Sequence, residues 1–168
     1  MNVADLLVDG FGRVRGTVHA AVEGLTAEQL RTRPADEANS IAWLVWHLTR
    51  IEDDHVADVA GAGQAWVDDG WADRFGLPLP VGDHGYGHSP EQVGEVHASA
   101  DLLAGYYDAV SARTAAYLAG VGPDDLDVVV DERWDPPVTL GVRLVSVVNE
   151  VNQHVGQAAY VRGLLARR

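Results

Sequence analysis

Glu150 and His154 stand four residues apart in a segment, Leu140 to about Leu165, whose apolar residues recur at three- and four-residue steps. On an α-helix that spacing puts both side chains on one face, close enough to share one ion. His154 falls between Val151 and Ala158, inside the apolar stripe, and Glu150 lies one turn earlier at its edge. In another periodic segment, running to about Val59, His47 lies at the margin of a stripe of Ile41, Leu44, Val45, Leu48, Ile51 and Val59. Two imidazoles and one carboxylate from two helices form the ligand set of a catalytic-type Zn²⁺ site with an open fourth position. Ni²⁺, Fe²⁺ and Co²⁺ accept the same donors.

Spacing alone leaves that assignment open. His55 lies more centrally on the second helix's stripe than His47 and competes for its role. A His near an apolar stripe is commonly a hydrogen-bonded packing residue, and a Glu–His pair at i, i+4 is commonly a surface ion pair. A lone carboxylate beside the core is costly without a partner, which favours the three acting together.

Such residues need rigid elements to hold them. Val3, Leu7, Phe11, Val14, Val18, Val22 and Leu25 predict a first amphipathic helix capped by Asn2. Thr26 with Gln29 forms a capping box for a short turn, and Pro34 to Glu37 breaks the chain. Asn39 and Ser40 can cap the second long helix, which Gly61 and Gly63 end. Ser89-Pro90-Glu91-Gln92 starts another helical segment, and after a break at His97-Ala98, Ser99 caps a third long helix. Leu102, Leu103, Tyr106, Val110, Tyr117 and Leu118 give that helix its buried face. Pro123 opens a further turn, Val128-Val129-Val130 reads as an extended connection, and Pro136-Pro137 excludes helix. Thr139 caps the last helix, whose core residues include Leu144, Val147, Val151, Val155 and Val161. The expected fold is an all-α four-helix bundle forming a single domain over residues 1–168. Its long loop, Gln64 to about Ser89, lies between the second and third long helices, holds no period, and carries Trp66, Trp71, Phe75 and Tyr86. A loop of that length is commonly a lid or pocket wall.

Composition narrows the chemistry. The 25 acidic against 12 basic residues give a net charge of −13, which argues against nucleic acid or an anionic membrane as partner. All twelve basic residues are Arg, so Schiff-base chemistry and a P-loop lysine are excluded. There is no Cys, hence no Cys nucleophile, Cys ligand or disulfide. Neither a signal peptide nor a transmembrane run is evident, and a cytoplasmic location is expected.

Two segments carry a family resemblance. Asn39-Ser40-Ile41-Ala42-Trp43-Leu44-Val45-Trp46-His47-Leu48-Thr49-Arg50-Ile51-Glu52-Asp53 resembles the second-helix motif of the DinB/YfiT-like superfamily. Asn149-Glu150-Val151-Asn152-Gln153-His154-Val155-Gly156-Gln157 is similar to its last-helix motif. Within the superfamily the chain most resembles the mycothiol-dependent branch, including the metal-binding domain of mycothiol-dependent maleylpyruvate isomerases. The resemblance implies a divalent metal, with Zn first, held by His47, Glu150 and His154. Many relatives use three His, so Glu150 points toward the mycothiol branch. That isomerase has a further C-terminal domain that these residues do not contain, so maleylpyruvate isomerisation is not the expected activity.

The implied function is a metal-dependent S-transferase whose cosubstrate, mycothiol or a similar small thiol, brings the sulfur and attacks an electrophile. A metal-dependent hydrolase and a non-enzymatic, stress-associated metal-binding bundle are the alternatives. Bundles of the superfamily often pair, so a homodimer is expected. Gln157 is a candidate support for a ligand, Asp54 a candidate proton acceptor, and Arg50, Arg143 and Arg162 candidate anchors for a carboxylate or sugar, each weighed against surface or packing roles. Trp43 and Trp46 could wall the pocket, while Trp66, Trp71 and Phe75 read as a satellite cluster under the loop.

Overall fold

A computed structural model describes residues 1–167. Its long helices are α1 (Val3–Val22), α3 (Ile41–Ala60), α7 (Ala100–Leu118) and α8 (Leu140–Leu165). Short helices α2 (Ala27–Arg31), α4 (Ala65–Asp68), α5 (Trp71–Phe75) and α6 (Pro90–Glu95) lie in the connections. Caps set the boundaries. Asn2 and Thr26 each form a reciprocal capping box, Ser40 accepts from the Trp43 amide, Ser99 from Leu102, and Thr139 from Val142. Gly61 closes α3 in the left-handed conformation that a side chain would strain. The first helix ends at Val22, three residues short of the Leu25 expected, because Gly24 turns the chain at φ 73°.

Helix α3 packs on α7 and α8, and α1 packs on the same two helices, which makes the expected four-helix bundle. Val14, Val18, Leu44, Leu48, Leu103, Val110, Leu144 and Val151 fill its centre. On α7 the buried face also takes in Tyr107 and Thr114, which the apolar pattern did not indicate. Among the described residues no helix is long and apolar enough to cross a membrane.

Two connections differ from expectation. The segment after α3 is built rather than open: Asp53 accepts from the Ala65 and Trp66 amides at 2.8 Å each, capping α4 from a neighbouring helix. Trp66, Trp71 and Phe75 close on Tyr106 with ring centroids 5.2–5.8 Å away and so join the main core, where a separate satellite cluster under the loop was expected. Val128 to Val130 is not merely an extended connection. Val129–Asp131 pairs antiparallel with Val138–Thr139, and the turn between them carries Trp134.

Candidate metal centre

Helix α3 is amphipathic in sequence, yet every residue from Ile41 to Asp53 is buried. Helices α7 and α8 cover its apolar side, and the loop after α5 folds back over the other. His47 therefore sits in the interior, while Glu150 and His154 approach from the crossing helix α8.

Both histidines aim the same nitrogen at one oxygen. His47 Nε2 lies 3.2 Å from Glu150 Oε1, and His154 Nε2 lies 3.0 Å from it. The imidazole centroids are 4.8 Å apart at 81°, and the three donor atoms all fall within 4.8 Å of one another. Among the described residues this is the group of His and carboxylate side chains that could hold a metal ion.

The other ring nitrogens are also spoken for. His47 Nδ1 donates to the His84 carbonyl, and His154 Nδ1 donates to Gln157 Oε1 at 3.0 Å. Carbonyl oxygens only accept, so each Nδ1 keeps the ring proton and each Nε2 presents a lone pair. Two lone pairs then face a carboxylate oxygen. Acceptors this close need a proton or a cation between them. Protonation is disfavoured at His47: burial pushes its pKa below the usual 6.5 and the nearby His154 adds to that, against the pull of the His84 carbonyl and Glu150.

A tight loop orients His47. Gly85 has φ +92°, and a Cβ there would meet His47 Nδ1 at 2.9 Å, Trp46 at 3.0 Å and Trp43 at 3.1 Å. Only glycine lets the backbone approach closely enough to place the His84 carbonyl. Asp83 ties the loop down. Its carboxylate accepts from the Gly85 amide at 2.8 Å and from His88 Nε2 at 3.0 Å, and its carbonyl accepts from Arg50 Nε at 3.1 Å. Burial raises the Asp83 pKa, but these hydrogen bonds and the neighbouring histidines outweigh it and hold the carboxyl below its usual value. His88 Nδ1 accepts in turn from Trp43 Nε1 at 3.1 Å, and Trp43 stacks on His47 at 4.5 Å and 14°. Asp83, His84, Gly85 and His88 were missed from the pattern. Their signal was two histidines and an aspartate in a glycine-rich run that had no helical period.

The remaining candidates separate by position. Gln157 contacts the His154 ring through the Nδ1 hydrogen bond. His55 stays out of the group; its ring faces Arg143 at 3.3 Å, two turns along α3 from His47. Asp54 accepts from Gln64 at 2.7 Å and lines a neighbouring groove, away from the three converging atoms. Arg50 is not a surface residue. Wholly buried, it contacts Gln64 at 2.7 Å, Tyr106 at 3.4 Å and Asp53 at 3.8 Å, and lies over the Trp66 ring. Arg162 caps the end of α1 through the Ala21 and Glu23 carbonyls. Arg143 is buried against Asp131 and Asp58. Trp46 packs in the core against His88 and Trp66.

Comparison with solved structures finds the crystal structure of a conserved protein from Enterococcus faecalis. It is 32% identical, superposes with a TM-score of 0.93, and the match covers 100% of this chain and 99% of that one. A search of curated proteins finds no match. The family model described as mycothiol S-transferase matches residues 6–167. With helix plan, paired motifs and nearly the full length in agreement, the chain belongs to the mycothiol S-transferase family, one of the DinB/YfiT-like families.

Proposed function

We propose that this protein is a divalent-metal-dependent S-transferase that joins mycothiol, or a closely similar small thiol, to an electrophile, with His47, Glu150 and His154 as the metal ligands. The observation that carries the reading is the convergence of His47 Nε2, His154 Nε2 and Glu150 Oε1, three acceptors whose mutual approach a cation would relieve. Zn²⁺ suits the set, and Ni²⁺, Fe²⁺ or Co²⁺ would also be accepted. A divalent cation bound there supplies Lewis acidity that favours thiolate over thiol at neutral pH.

The chain's own residues position and shelter. The His84 carbonyl and Gln157 fix both imidazole tautomers, and Trp43 closes one side of the site against water. Without Cys, the protein depends on the cosubstrate for sulfur. That dependence suits the cytoplasm, where small thiols stay reduced. A homodimer is part of the proposal, checked by gel filtration with light scattering.

The test is turnover of metal-loaded protein with mycothiol and monochlorobimane. The sulfur displaces chloride, the thiol proton passes to solvent, and a fluorescent thioether accumulates. Turnover no faster than that of metal-free protein, with mycothiol and related thiols alike, overturns the reading. A water adduct in place of the thioether would make the protein a hydrolase.

A further inference from the structure

Trp43 lies against both imidazoles of the centre. One turn before His47 on α3, it stacks on that ring at 4.5 Å and 14°, and it meets the His154 ring edge-on at 6.2 Å and 85°. Stacking keeps an indole beside its partner but does not decide which way round it lies, because the second side-chain torsion of Trp is broad and roughly two-fold. Turned over, the indole would offer the two histidines a different outline. The choice falls to its one polar atom.

That atom, Nε1, donates to His88 Nδ1 at 3.1 Å. An indole nitrogen only donates, so His88 carries its ring proton on Nε2. His88 Nε2 in turn donates to both Asp83 carboxylate oxygens at 3.0 Å. The imidazole thus accepts on one edge and donates on the other. It lies nearly parallel to Trp46, 5.9 Å away at 22°, and its side chain is only 3% exposed. Burying an imidazole beside a carboxylate is costly. Closing the loop does not require the ring, since Asp83 already accepts from the Gly85 amide and from Arg50. What the His88 ring alone supplies is the acceptor for Trp43.

We infer that Asp83 and His88 are positioning residues for the metal centre: Asp83 orients the His88 ring, His88 fixes the orientation of Trp43, and Trp43 sets the tilt of His47 and His154. Neither Asp83 nor His88 touches the reacting atoms. This assignment rests on the reading of the two histidines as metal ligands and adds what holds their ring planes. The His84 carbonyl and Gln157 decide which nitrogen of each ring faces Glu150; the indole decides how each ring is inclined when it does so.

Two substitutions separate the two bonds of the His88 ring. His88→Asn puts an oxygen about where Nδ1 lay and keeps the acceptor for Trp43, whereas His88→Gln puts an amide nitrogen about where Nε2 lay and keeps the donor to Asp83. In metal-free protein, NMR follows the Trp43 indole N–H, assigned by its loss in Trp43→Phe, and the ring protons of His47 and His154. Wild type and His88→Asn are expected to share slow indole exchange and the ring shifts that Trp43 imposes. His88→Gln should exchange at least roughly tenfold faster and lose those shifts. Chelator competition for Co²⁺ should give the same order, with His88→Gln weakened about 10-fold and His88→Asn near wild type. Trp43→Phe should weaken Co²⁺ as much as His88→Gln does, and the double variant no further than either. A role confined to holding the loop predicts the reverse order, Gln the better substitute, and that result overturns the inference. So do equal effects of the two substitutions, additive losses in the double variant, or faster indole exchange with unmoved His47 and His154 shifts. The metal reading fails separately: wild-type protein that takes up no Co²⁺ overturns it, while the metal-free NMR comparison still decides the role of His88.

Discussion

His84 holds His47 by its backbone, not by its ring: the carbonyl of one accepts the Nδ1 proton of the other. The bond fixes which nitrogen faces Glu150. It exists because Gly85, the next residue, has no side chain to keep the loop away.

Gly85→Ala should therefore damage the site without dissolving the bundle. The new methyl would press on His47 and two tryptophans, and the backbone would sit at a φ that alanine rarely adopts. Metal affinity, measured by competition with a chromophoric chelator, is expected to fall by about 10–100-fold. Helical circular dichroism should stay near wild type. An unchanged affinity would mean that the loop does not orient His47.

His154→Ala should abolish metal retention, as read by elemental analysis after gel filtration. Gln157→Leu tests a subtler role, since it removes only the acceptor of His154 Nδ1 at 3.0 Å. A loss of about 10-fold or more in affinity is expected, short of the full effect of losing the ring. Wild-type metal occupancy in His154→Ala would refute the ligand assignment.

Glu52 gives a pH test away from the site. It is fully buried against Tyr107 and Thr114 of α7, and burial pushes its pKa up to about 7, with those two hydroxyls working against the rise. An acid whose folded pKa is raised favours the protonated fold. Its contribution is most favourable below about pH 4.5, is lost as pH climbs toward 7, and is level beyond. Glu52→Gln should match wild type near pH 4.5 and exceed it by roughly 1–3 kcal/mol at pH 8 in urea melts. A difference independent of pH would show that the carboxyl does not titrate in this window.

Arg50→Met should act on stability and on the loop together. It strips the neighbouring positive charge from buried Asp53, which keeps its amide and Tyr106 donors, and the donor from the Asp83 carbonyl. Breaking one side of such a buried set costs about 3–5 kcal/mol. Amide exchange at residues 83–88 should accelerate more than exchange in α1. Uniform acceleration would assign Arg50 to the core alone.

Much of this molecule was legible in its residue order. Helix ends follow from local rules, so Asn2, Thr26, Ser40, Ser89, Ser99 and Thr139 mark their helices before any packing is known. The Glu150–His154 pair is likewise local, since four residues make one helical turn. Spacing alone could nominate His47 but not choose it over His55, a choice that only the motif resemblance made, because facing α8 or the Arg143 end depends on how two helices cross. The long-range contacts were illegible. The bends that bring Gly85 onto His47, Arg50 onto Asp83 and Asp131 onto Arg143 belong to a stretch without period or to pairs far apart in sequence. No local preference encodes such approaches; they form only when the bundle closes and buried polar groups must find partners.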